Sequence, residues 1–581
     1  MSVSVLTRAY DPFRRGANTE EPILTADAVR TRGIKQLFTL RLPDDARGCE
    51  ASPLIVSGVK MPDGNTRDLV ILATMGNGVY AFDANTGAEL WRRKLGTPIT
   101  GSNAIDAHLI NQNWGVLSTP VILDGVIYGC AWISKDGSVK GASHYAFALD
   151  VKTGQEVHPQ LNLDVAVFDP GNGLRKIPFS EAPRKQRAAL AVSKGALVIS
   201  FGTIAETAHT ARGWIVAIDL RMWSYAASFC TTARGWGGGV WMAGAGPVVL
   251  PNGDLSFFTG NGEFDAVTDF GESLVRLRYT PPDGHHPGRF SVVDWWTPFT
   301  DRGRTGGNPE GEGPPVPSNL RRVARLAERG LLHMGVQSEE WADMDLGSAG
   351  IVYVPSLDLL AGAGKDGILY AAHAAQLGKT QPKDLDPNAN QANYAKLAFR
   401  PIFFTYYPPE LDPAPVKIET LNTLYANQTH HQHGAPVTFV SPEFGPMLFN
   451  WGENGNGRAW QLTANECKYL ACTAEVASPQ APVPPGGMPG GMLSISCNGE
   501  VRGTAVLWAT VPYGDANLQL TAGRFVAYAA TQFQNGLLVK IWDSQDWNHQ
   551  FTFNKFSPPV VANGRVFVPT YDGTVIVYGI A

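Results

Sequence analysis

Three histidines in a T-H-H-Q-H-G run, His430, His431 and His433, form the densest imidazole cluster of the 581-residue chain. With Glu453 downstream, imidazoles at this spacing suit either a transition-metal site or proton transfer near neutral pH, and a polar loop is the plain alternative. The six cysteines, Cys49, Cys130, Cys230, Cys467, Cys472 and Cys497, include no C-x-x-C pair and no C-x-x-C-H run, which argues against zinc-ribbon, thioredoxin-like and haem c chemistry. Cys467 and Cys472 are spaced either to close a short disulfide loop in an exported protein or to lie as buried thiols. No G-x-S-x-G, H-E-x-x-H or Walker loop occurs, so hydrolase and nucleotide-binding classes gain no support.

Residues from distant parts of the chain can share a site only if the architecture brings them together, and here that architecture is repetitive. Residues 78–91 (GVYAFDANTGAELW) and 144–157 (HYAFALDVKTGQEV) each carry a strand pattern that runs into an Asp-x-x-Thr-Gly turn and a second strand. Weaker copies stand at 213–220, 273–279, 367–374, 457–463, 524–530 and 574–580. Most are preceded by a Pro- or Gly-led strand and a second strand, as in STPVILDGVIYGCA and PPVVANGRVFVPTYDG. Eight units of roughly 70 residues, each with three strands or more, predict an all-β, eight-bladed propeller forming one domain over residues 1–581. The last unit lacks an outer strand and an isolated strand, Gln36 to Leu42, precedes the first. That N-terminal strand is expected to complete the last blade and remove two sheet edges. Stretches 301–318, 376–420 and 473–491 read as long loops, and the best helical pattern is Leu320 to Leu332.

The Asp-x-x-Thr-Gly turns, the run G-C-E-A-S-P-L-I-V (48–56) and the K-D-G turn (365–367) resemble the eight-bladed quinoprotein alcohol dehydrogenases. Those enzymes hold pyrroloquinoline quinone (PQQ) and a metal ion on the propeller axis. The resemblance implies Glu50 near the quinone, Trp241 in G-G-G-V-W as the floor beneath its ring, and Lys365 facing its oxygens. It implies Glu206, Asn261 in F-F-T-G-N-G and Asp345 as ligands of calcium or a lanthanide. In W-A-D-M-D-L-G it implies Asp343 as the base that takes the alcohol proton, with Asp345 beside it. Carboxylates and an amide oxygen suit such hard cations, and alcohol oxidation needs a base, a Lewis acid and an electrophilic quinone carbon.

The chain departs from that family where a vicinal cysteine pair and an N-R-G run would roof the quinone. I-N-Q-N-W-G (110–115) stands there instead, and Trp114 is the expected substitute cover. The missing haem motif means that electrons would pass to an external acceptor. H-G-A-P-V (433–437) and N-W-G-E-N-G (450–455) resemble a further branch of PQQ-like propellers, adding His433 and Trp451 as residues of the axial cavity. Two other readings stand beside PQQ-dependent oxidation of a small organic substrate. One is a cofactor-free propeller enzyme carrying out a dehydration or cyclisation in secondary metabolism; the other is a non-catalytic scaffold.

The chain is 44% hydrophobic and 17% charged, which makes it globular, and its net charge of −5 without long charge runs argues against a nucleic-acid partner. The near-apolar stretch Gly235 to Gly253 is crowded with glycine and holds Pro247 and Pro251, so no transmembrane segment is expected. Met1 to Leu24 lacks an apolar block. The expected compartment is cytoplasmic for the chain as it stands, or periplasmic or secreted if a leader has been trimmed.

Overall fold

The computed structural model describes residues 2–580 apart from 103, 106–109, 172, 205–209, 284, 298–344, 366–368, 380–398, 403–430, 465–466, 480–487 and 518. Eight four-stranded antiparallel units follow one another. Their innermost strands are Leu54–Lys60, Val121–Leu123, Ala191–Ser193, Val248–Val249, Gly350–Val354, Val437–Ser441, Met492–Ser496 and Val560–Ala562. These number the blades one to eight. Inner strands such as Gly350–Val354, Met492–Ser496 and Val560–Ala562 are buried and outer ones such as Glu89–Lys94 exposed, the gradient expected when blades radiate from an axis. The recurring sequence unit is always the third strand of its blade, from Gly78–Asp83 in blade one to Thr574–Ile580 in blade eight.

The Asp-x-x-Thr-Gly turn links the third strand to the fourth. Asp83 accepts from the backbone N–H groups of Asn85 and Thr86 at 2.9 and 3.0 Å, and Asp150 from those of Lys152 and Thr153 at 3.0 and 2.9 Å. The glycine that follows has positive φ, +75° at Gly87 and +66° at Gly154, and no room for a side chain. A Cβ at Gly154 would strike Trp91 of blade one, and a Cβ at Gly87 would strike Phe38. The same turn therefore seats blade one on the outer strand of blade eight and blade two on blade one.

Apolar clusters fill the spaces between successive blades. One of them joins blade one (Leu54-flanking Ile55, Leu72, Tyr80) to blade eight (Val560, Phe567, Val577). The N-terminal strand Ile34–Arg41 pairs antiparallel with Thr574–Ile580, Arg41 opposite Thr574 and Ile34 opposite Ile580, as the outer strand of blade eight. Two loop expectations need correction. Phe399–Ile402, inside 376–420, is the outer strand of blade five, and residues 473–477 continue the strand Cys467–Ala477. Segment 301–318 and the helical pattern at 320–332 lie outside the described residues. A helix that the sequence reading did not place runs over Ala26–Arg32, capped by Thr25, whose hydroxyl accepts from the Ala28 N–H. Among the described residues no helix is long and apolar enough to cross a membrane. Cys467 and Cys472 lie on one strand, opposite Leu462 and Arg458. Five residues of extended chain separate them by about 16 Å, beyond the ~7 Å Cα limit of a disulfide.

The N-terminal arm touches all eight blades. Val5 exchanges two backbone hydrogen bonds with Ile55, and the carbonyls of Leu6, Pro12, Phe13, Arg15 and Gly16 accept from Ile122, Val249, Tyr353, Thr438 and Ile495. Arg14 reaches the Leu190 carbonyl at 2.8 Å, and the Tyr10 hydroxyl accepts from Val561 at 2.7 Å. These partners all belong to inner strands or border them, so the arm lines the axis. Each inner strand has a free edge there, and the arm satisfies its polar groups.

Candidate functional site

In an antiparallel blade the inner strand begins at the rim where the second strand ends. The lead-in to each inner strand and the loop between second and third strands therefore open at the same end of the axis. The residues four positions ahead of the inner strands of blades one, three, six and eight are Glu50, Arg187, His433 and Phe556. These four meet.

Glu50 is buried, and its Oε1 accepts from Asn111 Nδ2 at 3.0 Å and the Tyr571 hydroxyl at 2.7 Å. Its Oε2 lies 3.0 Å from Arg187 Nη1 without the alignment of a hydrogen bond. Burial would raise the Glu50 pKa, but the charges of Arg187 and Lys555 and the two hydrogen bonds outweigh it and hold the carboxyl below its usual range. Burial and the neighbouring Glu50 push the Tyr571 phenol well up, so it stays a donor. The Arg187 guanidinium lies 4.3 Å from the centre of the Phe556 ring, and the Lys555 ammonium 5.3 Å from it. Lys555 also donates to Asn517 Oδ1 at 3.2 Å.

His433 stands 6.1 Å from the Phe556 ring and 6.1 Å from His431, centre to centre. It is buried, and its Nε2 has no hydrogen-bond partner among the described residues. Burial first, then the positive charges of Lys365, His431, Lys555 and Arg187, hold it well below the usual imidazole range. Glu453, from the second-to-third loop of blade six, accepts from the His431 backbone N–H at 3.1 Å and lies 3.3 Å from His431 Nδ1.

The blade-four and blade-five side of the mouth is built on glycine. Asp345 accepts the Asn261 N–H on Oδ1 at 3.0 Å and the Lys365 ammonium on Oδ2 at 2.7 Å. A Cβ at Gly260 would overlap the Asp345 carboxylate and touch Trp241, while Gly202 and Gly239 bed the same indole. Trp241 Nε1 has no hydrogen-bond partner among the described residues. The Lys185 ammonium sits 5.7 Å from the Trp241 ring and 5.2 Å from the Trp114 ring.

Glu50 and His433 are thus joined through Arg187 and Phe556, while Trp241, Asn261, Asp345 and Lys365 form a second group; the bond from the Gln432 N–H to the Gly364 carbonyl, 3.1 Å, ties the lead-in of His433 to that of Lys365. Two expected residues do not face these groups as imagined. Trp114 is a buried core ring whose Nε1 donates to the Gly101 carbonyl at 3.0 Å, with Lys185 between it and Trp241, so it is no stacked cover. Trp451 is buried against Gly457 and Gly491 and donates to the Gly455 carbonyl at 2.8 Å; it packs blades six and seven together. Asp343, Glu206 and His430 lie outside the described residues. The sequence reading missed Lys185, Arg187, Asn111, Lys555, Phe556 and Tyr571. Two of these, Arg187 and Phe556, share with Glu50 and His433 the four-residue offset from an inner strand, a signal that needs the strand starts to be known.

The described donors do not fit a calcium or lanthanide ion. Asp345 gives one oxygen to an N–H and the other to an ammonium, and no three His, Cys, Asp or Glu side chains converge among the described residues. A flat quinone fits better: Trp241 offers a ring held on glycine backbone, and Lys185 and Lys365 flank it with charge.

The fold is an eight-bladed propeller with a ring of lead-in loops at one end of its axis. Residues 52–244 match the family model PQQ_2, described as outer membrane protein assembly factor BamB. The quinohemoprotein alcohol dehydrogenase from Comamonas testosteroni shares the fold with a TM-score of 0.52 and 14% identity, over 99% of this chain and 80% of that one. The quinohemoprotein alcohol dehydrogenase ADHIIG from Pseudomonas putida HK5 gives a TM-score of 0.48 and 13% identity over 99% of this chain and 80% of that one. BamB from Moraxella catarrhalis gives a TM-score of 0.30 and 11% identity over 94% and 99%. No curated protein sequence matches the chain.

Proposed function

We propose that the protein is an enzyme acting on a small organic molecule at the axial mouth, with His433 taking a proton from it and Lys365, Arg187 and Lys555 steadying the anion left behind. The observation that carries this reading is the buried His433 imidazole, held neutral, with its Nε2 unsatisfied among the described residues. Leaving a buried polar atom unsatisfied costs about 1–3 kcal/mol, which a bond to substrate would offset. The cations that keep the imidazole neutral also lower the energy of an enolate or alkoxide formed beside it. In a dehydration the C–H proton moves to Nε2, the electron pair forms the C=C bond, and the hydroxyl departs as water with a proton from His431, which Glu453 orients. A scaffold role gives no reason for unsatisfied buried polar atoms at the axis.

The second reading, oxidation of an alcohol with PQQ, is favoured by the glycine-bedded Trp241. When bound, PQQ supplies an electrophilic carbonyl that accepts hydride. Trp241 would floor its ring, Lys185 and Lys365 would meet its oxygens, and the electrons would leave to an external acceptor. Incubation in D2O with a panel of 3-hydroxy and 2-oxo acids, read by mass spectrometry, tests the first reading. Deuterium wash-in that His433→Gln abolishes is expected. No exchange from any panel member, with heat on titrating PQQ, would overturn it in favour of the second.

A further inference from the structure

Two buried donors, Arg187 Nη1 and Trp241 Nε1, and one imidazole nitrogen, His433 Nε2, come from different blades and have no hydrogen-bond partner among the described residues. A lone orphan polar atom is unremarkable, but three near one axis call for a ligand, and the two N–H donors call for acceptors on it. Arg187 is the most informative. A guanidinium carries five N–H donors, and this one is 7% exposed, with the unaligned contact to Glu50 Oε2 as its ion pair. Its Cζ lies 4.3 Å from the centre of the Phe556 ring, and the Lys555 ammonium stands over the same ring at 5.3 Å. Phe556 itself is held at φ +74° with its carbonyl accepting from Arg8, so the platform is set by the backbone and not by rotamer choice.

A planar fork beside an ammonium, on an aromatic platform, matches a carboxylate attached to a flat apolar body. The guanidinium grips the two oxygens side by side and the ring accepts the body. A phosphate would need more charge than this corner offers, since Arg187 already shares its charge with Glu50. We infer that the substrate of the axial mouth is an organic carboxylic acid whose carboxylate is held between Arg187 and Lys555 above Phe556. This rests on the reading that the mouth is a small-molecule site. It leaves Lys365, paired with Asp345, and His433 to the reacting end.

Titration calorimetry with benzoate, benzamide and inorganic phosphate tests the assignment on the full chain. Benzoate is expected to bind at least about tenfold more tightly than its neutral isostere benzamide. Lys555→Gln should weaken benzoate about fivefold or more and leave benzamide unchanged. Arg187→Gln should do the same but exposes Glu50 to an uncompensated burial and can fail to fold; Lys555→Gln keeps the test decisive. Equal binding of benzoate and benzamide, no benzoate heat at millimolar concentration, or phosphate binding more tightly than benzoate would each overturn the inference. His433→Gln should keep benzoate binding while abolishing deuterium exchange. Exchange without benzoate binding would sink the carboxylate inference alone, and benzoate binding without exchange would sink the acid–base reading alone.

Discussion

The Arg187 guanidinium lies over the Phe556 ring at 4.3 Å, joining the lead-ins of the third and eighth blades across the mouth. Phe556 holds φ at +74°, a region that costs a non-glycine residue on the order of 1 kcal/mol or more. Two substitutions separate the ring from the strain. Phe556→Ala removes the ring and keeps the strained backbone, and should destabilise by about 3–5 kcal/mol. Phe556→Gly removes both and should be less destabilising than Ala by about 1 kcal/mol. Guanidinium unfolding midpoints measure the pair. If Gly is the worse of the two, the backbone at 556 is not under strain.

Glu50 and Arg187 form a buried pair, and breaking one partner leaves the other charged in low dielectric. Glu50→Leu should cost roughly 3–5 kcal/mol in unfolding free energy. The double variant Glu50→Leu, Arg187→Met should recover much of that loss, because no uncompensated charge remains. Equal losses in the single and double variants would mean that shape at these positions outweighs charge.

Much of the ring could be read from local pattern. The Asp-x-x-Thr-Gly turn is a contiguous signal whose aspartate oxygens and left-handed glycine act within five residues; it marked the third strand of the first two blades, and weaker copies of the strand before it marked the rest. The N-terminal strand was legible because an unpaired outer edge needs a partner. Glu50, Trp241, Asn261, Asp345, Lys365 and His433 came forward through short runs; Glu50 and His433 meet through Arg187 and Phe556, and the other four form a second group. The rest was not local. Arg187, Lys555 and Phe556 sit in K-Q-R and K-F-S-P-P runs that look like ordinary surface loops, and they acquire meaning only when three blades meet at the axis. Trp451 looked like a cavity ring because a sequence does not reveal that Gly457 and Gly491 leave a gap for its indole, and Trp114 because its apolar partners Met75, Ile99 and Trp132 come from separate segments. Val5 to Asn18 has no strand alternation, since its partners lie one to a blade around the axis.

That arm should act as a fastener for the ring. Deleting residues 2–18 leaves polar groups of all eight inner strands without their partners, including the Ile55 and Val561 amides. The expected result is a lower melting temperature with a broader transition by calorimetry, and recovery of part of the loss when the arm peptide is added back. An unchanged transition would show that the blades hold the axis without it.

Acid should act through two buried groups of opposite effect. His144 is buried, with its ring stacked on Trp132 at 4.8 Å and its Nε2 2.7 Å from the Arg184 carbonyl. Burial drives its pKa down to about 3, whereas in the unfolded chain it titrates near 6.5. Between those values the unfolded chain binds a proton that the folded one refuses, so stability falls as pH falls, by up to about 1.4 kcal/mol per unit. Burial raises Asp45 to about 6, against hydrogen bonds from Asn113, Arg47 and Gly48. Between about 6 and the usual carboxylate range the folded chain takes up the proton first, which adds stability as pH falls and offsets His144. Asp45→Asn should therefore steepen the loss of stability between pH 6 and 4, and His144→Gln should flatten it. Unfolding midpoints of the two variants across that window check the pair, since other titrating groups are common to both. Parallel curves for Asp45→Asn, His144→Gln and the parent chain would show that neither group sets the acid limit.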